Sequence, residues 1–133
     1  MKYFFVAVAL LVATSVPSWA DKAEIQKTIQ LQLEAFQEDD FEAAFEFASP
    51  NIQKIFQSSK RFGVMVSQSY PMVHRPADVR FLEFETLEDE VWQKVQIKDK
   101  QGRFHIMAYR MISVDNRWLI NGVQLLPSDE IGV

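Results

Sequence analysis

The ionisable side chains crowd into one stretch. Residues 34–52, EAFQEDDFEAAFEFASPNI, alternate Glu38, Asp39, Asp40, Glu42 and Glu46 with phenylalanines. Neighbouring carboxylates can share acid and base work when their surroundings push their pKa values apart. The spacing here argues against that use. Glu34 and Glu38 are one helical turn apart, as are Glu42 and Glu46, on the polar sides of two helices. Asp39 and Asp40 fall where the second helix should begin, and negative charge there complements the helix dipole. The run reads as a solvated face rather than a catalytic set.

Other chemistry is sparse. His74 and His105 have no ligand-spaced neighbours, so no metal site is expected, and no cofactor motif is present. The chain has no cysteine, which excludes a thiol nucleophile and any disulfide. Tyr70, His74 and Arg75 lie on SYPMVHRPADV, which Pro71 and Pro76 should hold as an extended segment. Gln93, Arg110 and Asn121 are polar interruptions of an otherwise aliphatic sheet face. A guanidinium inside a pocket is costly unless an anion or carbonyls meet it, which makes Arg110 the leading anchor for a small anionic or polar molecule.

These groups need a scaffold, and 133 residues provide for one domain with one modest core. A composition 48% hydrophobic and 24% charged is that of a globular chain. The formal charge is −4 and no basic run exceeds Lys60-Arg61, so nucleic acid is not an expected partner. Residues 1–20 have another purpose. Lys2, the apolar run Phe4–Ala13 and the small-x-small sequence Ser18-Trp19-Ala20 have the layout of a secretory signal peptide. A membrane span needs about 20 apolar residues, twice that run, so no stable anchor should remain after cleavage. The expected product is an exported, periplasmic or extracellular domain over residues 21–133.

Asp21 with Glu24 reads as a capping box, followed by Ile25, Ile29, Leu33 and Phe36 on one helical face. Asp39 with Glu42 repeats the pattern ahead of Phe41, Ala44, Phe45 and Ala48. Ser49-Pro50 should open a third helix, and Ser58 or Ser59 a fourth carrying Phe62, Met65 and Val66. From Val79 the period becomes two. VRFLEFETLE, VWQKVQIKD, RFHIMAYRMISV and RWLINGVQLL read as four strands joined at Asp89-Glu90, Lys100-Gln101-Gly102 and Asp115-Asn116. Closing those turns pairs Phe84 with Val95, Gln93 with Ala108, Trp92 with Tyr109, Ile112 with Leu119 and Arg110 with Asn121. One face then carries Val95, Ile97, Phe104, Ile106, Ala108, Ile112 and Leu119 and should hold the helices. The other carries Trp92, Tyr109, Met107, Met111, Trp118 and Ile120, an apolar patch that predicts a homodimer through Trp92, Tyr109, Met111 and Trp118.

Helices followed by strands make an α+β fold, N-terminal helices on one face of a curved four-stranded antiparallel meander. The helical hairpin with an acidic joint and the ASP step, before a meander ending RWLINGVQLLP, resembles the nuclear transport factor 2-like (SnoaL-like) superfamily. FGVMVSQSYPMVHRPADVRF and WLINGVQLLP resemble the bacterial exported family called domain of unknown function 4864. The resemblance covers nearly all of residues 21–133 and implies a cone-shaped half-barrel around a pocket, frequently dimeric. It assigns no activity. The superfamily includes isomerases and dehydratases that use a pocket aspartate, histidine or tyrosine, but the first helix here lacks the tyrosine of the steroid isomerases. The reading is a non-catalytic small-ligand-binding or accessory module, with candidate pocket residues Arg110, Asn121, Gln93, Tyr70 and His74. One alternative is an enzyme using Tyr70 or His74 as acid or base. Another is a protein-interaction module acting through the aromatic sheet face.

Overall fold

The computed structural model describes residues 18–88 and 90–127, so most of the expected leader, Asp89 and the last six residues lie outside the described part. Helix α1 spans Trp19–Gln37 and buries Ile25, Ile29, Leu33 and Phe36, the face set by their spacing. Its cap differs from expectation. Ser18 is the N-cap and Asp21 the reciprocating third residue, so the capping box begins three positions earlier. The Asp21 carboxylate also accepts from the Trp118 indole at 3.2 Å, tying the helix start to the last strand. No helix among the described residues is long and apolar enough to cross a membrane.

Helix α2, Phe41–Glu46, is capped by Asp40, whose carboxylate accepts from the Ala43 amide, and not by Asp39. Asp39 takes a left-handed φ of 56° in the joint. Glu34, Glu38, Asp39, Asp40, Glu42 and Glu46 are all exposed, as expected for a solvated face. Ser49 and Pro50 open α3, Pro50–Phe56, and Ser58 caps α4, Ser59–Ser69. Pro71 then starts a further helical turn, α5, Pro71–His74, where an extended segment was expected. Proline at the first helical position sacrifices no hydrogen bond, so Pro71 opens a helix as readily as it stiffens a loop.

Gly63 in α4 is where this layer is tightest. A Cβ there would enter the Phe41 ring of α2. Alanine in a helix interior normally gains about 1 kcal/mol over glycine. Here the clash should win, because overpacking costs roughly 1–3 kcal/mol. Gly63→Ala is therefore expected to lower the melting temperature, and a rise would mean that Phe41 repacks freely.

The strands are β1 (Asp78–Leu87), β2 (Glu90–Lys98), β3 (Phe104–Val114) and β4 (Arg117–Leu125), in spatial order β1-β2-β3-β4 and all antiparallel. The meander is as expected; its registers are not. Lys98 pairs with Phe104, so Gln93 faces Tyr109 and Trp92 faces Arg110. With Gln93 opposite Ala108, Asp99 would close on Gly102; it lies opposite Arg103 instead, with Lys100, Gln101 and Gly102 between them, one residue more. Both Asp99 oxygens explain this: Oδ1 accepts from the Gln101 and Arg103 amides, each at 2.9 Å, and Oδ2 accepts from the Arg103 guanidinium at 3.3 Å. One added loop residue turns every β3 side chain over.

Met107, Tyr109 and Met111 therefore enter the core beside Val95, Ile97 and Val91, while Phe104, Ile106, Ala108 and Ile112 share the outer face with Trp92 and Lys94. The Asp115-Asn116 turn closes as expected, with both residues at positive φ and Ile112 opposite Leu119. Strand β4 follows β3, so Trp118 and Ile120 also face inward. A bulge then makes Asn121 the extra residue, and Arg110 pairs with Gly122 instead of Asn121. In β1 a second bulge lies between Phe81 and Phe84, and Phe84 opposes Gln93 rather than Val95. The helical layer is pinned at Ile120, whose carbonyl accepts from the Ser49 amide at 2.8 Å and whose amide donates to the Phe47 carbonyl at 2.9 Å.

Candidate functional site

The helices and the inner sheet face line a solvent-open cavity of about 310 Å³. Phe36 from α1, Ile52 from α3, Phe62 and Val66 from α4, Val73 from α5, and Ile120 and Val123 from β4 form apolar walls. These residues meet because the helical apolar stripes and the inward side of β3 and β4 converge there. Polar groups are few. Tyr70 caps the end of α4 and lines the cavity. Gln32 is 3% exposed and donates to the Ala44 carbonyl at 3.1 Å. Tyr109 is fully buried, and its hydroxyl has no hydrogen-bond partner among the described residues. Burial alone pushes the phenol well above its ordinary pKa, so it remains a protonated donor.

The other sequence candidates disperse. Arg110 is not in the cavity: it lies on the outer face, its guanidinium 5.9 Å from the Trp92 ring centre, 3.4 Å from Glu90 and 3.2 Å from the Asn121 carbonyl. Asn121 accepts from the Ser49 hydroxyl at 2.7 Å and fastens the bulge to the α3 cap. Gln93 is fully buried beneath the β1 bulge, donating to main-chain carbonyls. The proposed patch of Trp92, Tyr109, Met111 and Trp118 does not form, since only Trp92 lies outside. Tyr109 and Met111 face the helices because Asp99 closes on Arg103 rather than on Gly102, and Trp118 follows them through the β3–β4 turn.

His74 does not line the cavity. Its Nε2 is 2.7 Å from Asp39, which also takes two 3.0 Å bonds from Arg75. The hydrogen bond from His74, followed by that from Arg75, lowers the Asp39 pKa. His105 repeats the arrangement, with Nε2 2.8 Å from Asp99. Asp99 is held at about 2, first by the His105 bond and then, against the opposing effect of burial, by the Arg103 and Gln101 amides. Both imidazoles line one cleft of about 220 Å³ between α5 and the β2–β3 turn. No group of three or more metal-ligating side chains forms among the described residues.

Sequence reasoning placed Tyr109 on the wrong side and passed over Gln32 and Asp99. Asp99 had a legible signal, an aspartate two residues before a backbone amide in a turn that ends on glycine. Gln32 had none, because a glutamine on an amphipathic helix looks like surface.

The model of the family described as "Domain of unknown function (DUF4864)" matches residues 18–133. The chain belongs to this family. Among solved structures, it is similar to an NTF-2 like protein of unknown function from Shewanella oneidensis MR-1, with a TM-score of 0.51 and 16% identity over 78% of this chain and 97% of that one. That likeness places the helices and the curved meander in the nuclear transport factor 2-like fold. No curated protein matches the chain. The family name assigns no reaction, so function has to be argued from the cavity.

Proposed function

We propose that this protein is a non-catalytic binding module for a small, neutral, largely apolar molecule bearing a hydrogen-bond acceptor. The observation that carries this is an apolar cavity of about 310 Å³ with Tyr109 in its lining, a fully buried tyrosine whose hydroxyl has no partner among the described residues. A buried hydroxyl left unpaired costs about 1–3 kcal/mol, which a ligand oxygen would recover. The volume is at the small end of ordinary ligand sites. This is narrower than the anionic or polar molecule expected, because Arg110 points away from the cavity and the cavity lining contains no cation. An enzyme using His74 there is disfavoured, because His74 lines the other cleft and not the cavity.

Two further parts of the reading rest on sequence and surface chemistry. Export rests on the leader pattern of Met1–Ala20. A homodimer would use the outer sheet face, where Trp92, Phe104, Ile106 and Ile112 supply apolar surface and Phe104 is 56% exposed.

The test of the cavity is titration with a neutral naphthyl ketone dye whose emission reports polarity. Saturable, blue-shifted binding is expected. Tyr109→Phe should weaken it about tenfold, the effect of one lost hydrogen bond worth about 1.4 kcal/mol. The empty variant should melt at or above the wild type, since an unpaired hydroxyl has gone. Val123→Trp should abolish binding by filling the cavity from a partly exposed strand position. Equal affinity in Tyr109→Phe would remove the hydroxyl as anchor, and absence of saturable binding would sink the reading.

A further inference from the structure

We infer that the cleft between α5 and the β2–β3 turn is a second binding site, for a small oxyanion of the phosphate or sulfate type. On an acidic chain this concavity gathers Arg75, Lys100 and Arg103 with the only two histidines of the sequence. Its one lining carboxylate, Asp99, has both oxygens committed: two backbone amides occupy Oδ1, and Arg103 and His105 occupy Oδ2. The walls therefore present donors and no free acceptor from that carboxylate.

The imidazoles are oriented from behind. A carboxylate only accepts, so His74 Nε2 must carry its proton toward Asp39 and His105 Nε2 toward Asp99. That fixes both rings and leaves each Nδ1 without a protein partner among the described residues; Nδ1 accepts in the neutral ring and offers an oxyanion a donor only in the imidazolium form. Arg75 is likewise held, by both Asp39 oxygens and by the Phe36 carbonyl at 2.8 Å, so its charge is fixed beside the cleft without a flexible side chain having to be ordered. Arg103 spends its Nε on Asp99 and is otherwise exposed, leaving its terminal nitrogens for a ligand. The terminal N–H groups of Arg75 are committed to Asp39 and to the Phe36 and His74 carbonyls, so Arg75 contributes a fixed charge, while the exposed Lys100 and Arg103 supply charged donors. Pro71 and Met72 add an apolar wall, which would suit the organic part of a phosphate ester.

The experiment follows the side-chain NMR signals of His74 and His105, distinguished from each other by His74→Asn. Inorganic phosphate and phenyl phosphate are titrated separately at constant ionic strength against chloride. Both imidazoles should shift saturably with phosphate and not with chloride. Lys100→Gln/Arg103→Gln should raise the dissociation constant at least fivefold. Lys100→Glu alone, at an exposed turn position, should raise it at least threefold should the double variant fold poorly. Tighter binding of phenyl phosphate would identify an ester and use of the Pro71 and Met72 wall; equal binding would identify the free oxyanion. Linear shifts matching chloride, a response of one histidine alone, or an unchanged constant in Lys100→Glu would each overturn the site. Tyr109→Phe should leave phosphate binding unchanged, so failure here is distinguishable from failure of the cone cavity.

Discussion

Met107→Asp is expected to abolish the cooperative thermal transition, while Ile106→Asp melts within a few degrees of the wild type. The two residues are adjacent in β3 and chemically similar, so only their faces separate them. Met107 is fully buried in the core, opposite Val95 on one side and Leu125 on the other. A carboxylate there has no cationic partner, and an unpaired buried charge costs several kcal/mol in addition to roughly 2 kcal/mol of lost apolar burial. A domain of this size has a total margin of about 5–15 kcal/mol, so the fold should not survive at working temperature. Ile106 pairs with Gln96 on the outer face and is partly exposed, so aspartate there loses strand preference and some packing, about 1 kcal/mol. Circular dichroism melts of the two variants decide the matter. Loss of the fold in Ile106→Asp, with Met107→Asp stable, would restore the opposite register.

That pair also marks how far the sequence could be read. Helix identity was legible because each helix shows its apolar stripe at a spacing no strand would use, and Ser49-Pro50 and Ser58 carry their caps openly. The β3–β4 turn was legible as well, since Asp115-Asn116 are the residue types that tolerate positive φ. The β2–β3 joint was not. Closing Asp99 on Gly102 and closing it on Arg103 use the same letters, and what selects the second is the Asp99 carboxylate folding back onto the Gln101 and Arg103 amides. Strand β3 gave no help, because Phe104, Ile106, Ala108 and Ile112 look as well suited to a core as Met107, Tyr109 and Met111. Since β4 is registered on β3, the single error carried Trp118 and Ile120 with it. The site inherited the same fault: Arg110 and Tyr109 exchanged faces, and a pocket bearing Arg110 for an anionic or polar molecule was expected where the cavity is apolar.

Gln93→Leu should lower the melting temperature by about 10 °C even though leucine matches the site in size and suits its apolar neighbours. Gln93 is fully buried at the centre of β2, facing Phe84 and Tyr109. Its amide nitrogen lies 3.0 Å from the Leu82 carbonyl, 3.4 Å from that of Glu83 and 2.8 Å from that of Lys94. Leu82 and Glu83 are the residues of the β1 bulge, where the regular ladder between β1 and β2 is interrupted. The glutamine replaces the missing ladder bonds. Leucine would gain about 1–2 kcal/mol of apolar burial but leave at least one buried carbonyl unpaired at about 1–3 kcal/mol, besides the hydrogen bonds lost to the others. The balance is a net loss of about 2 kcal/mol, and 1 kcal/mol moves the midpoint of a domain of roughly this size by about 4–8 °C. Gln26→Ala is the control: its 3.4 Å contact reaches only the Gln93 oxygen from a partly exposed position, so its removal should change the midpoint little. If Gln93→Leu instead melts at or above the wild type, the bulge carbonyls find partners elsewhere and the glutamine is not what holds β1 in its broken register.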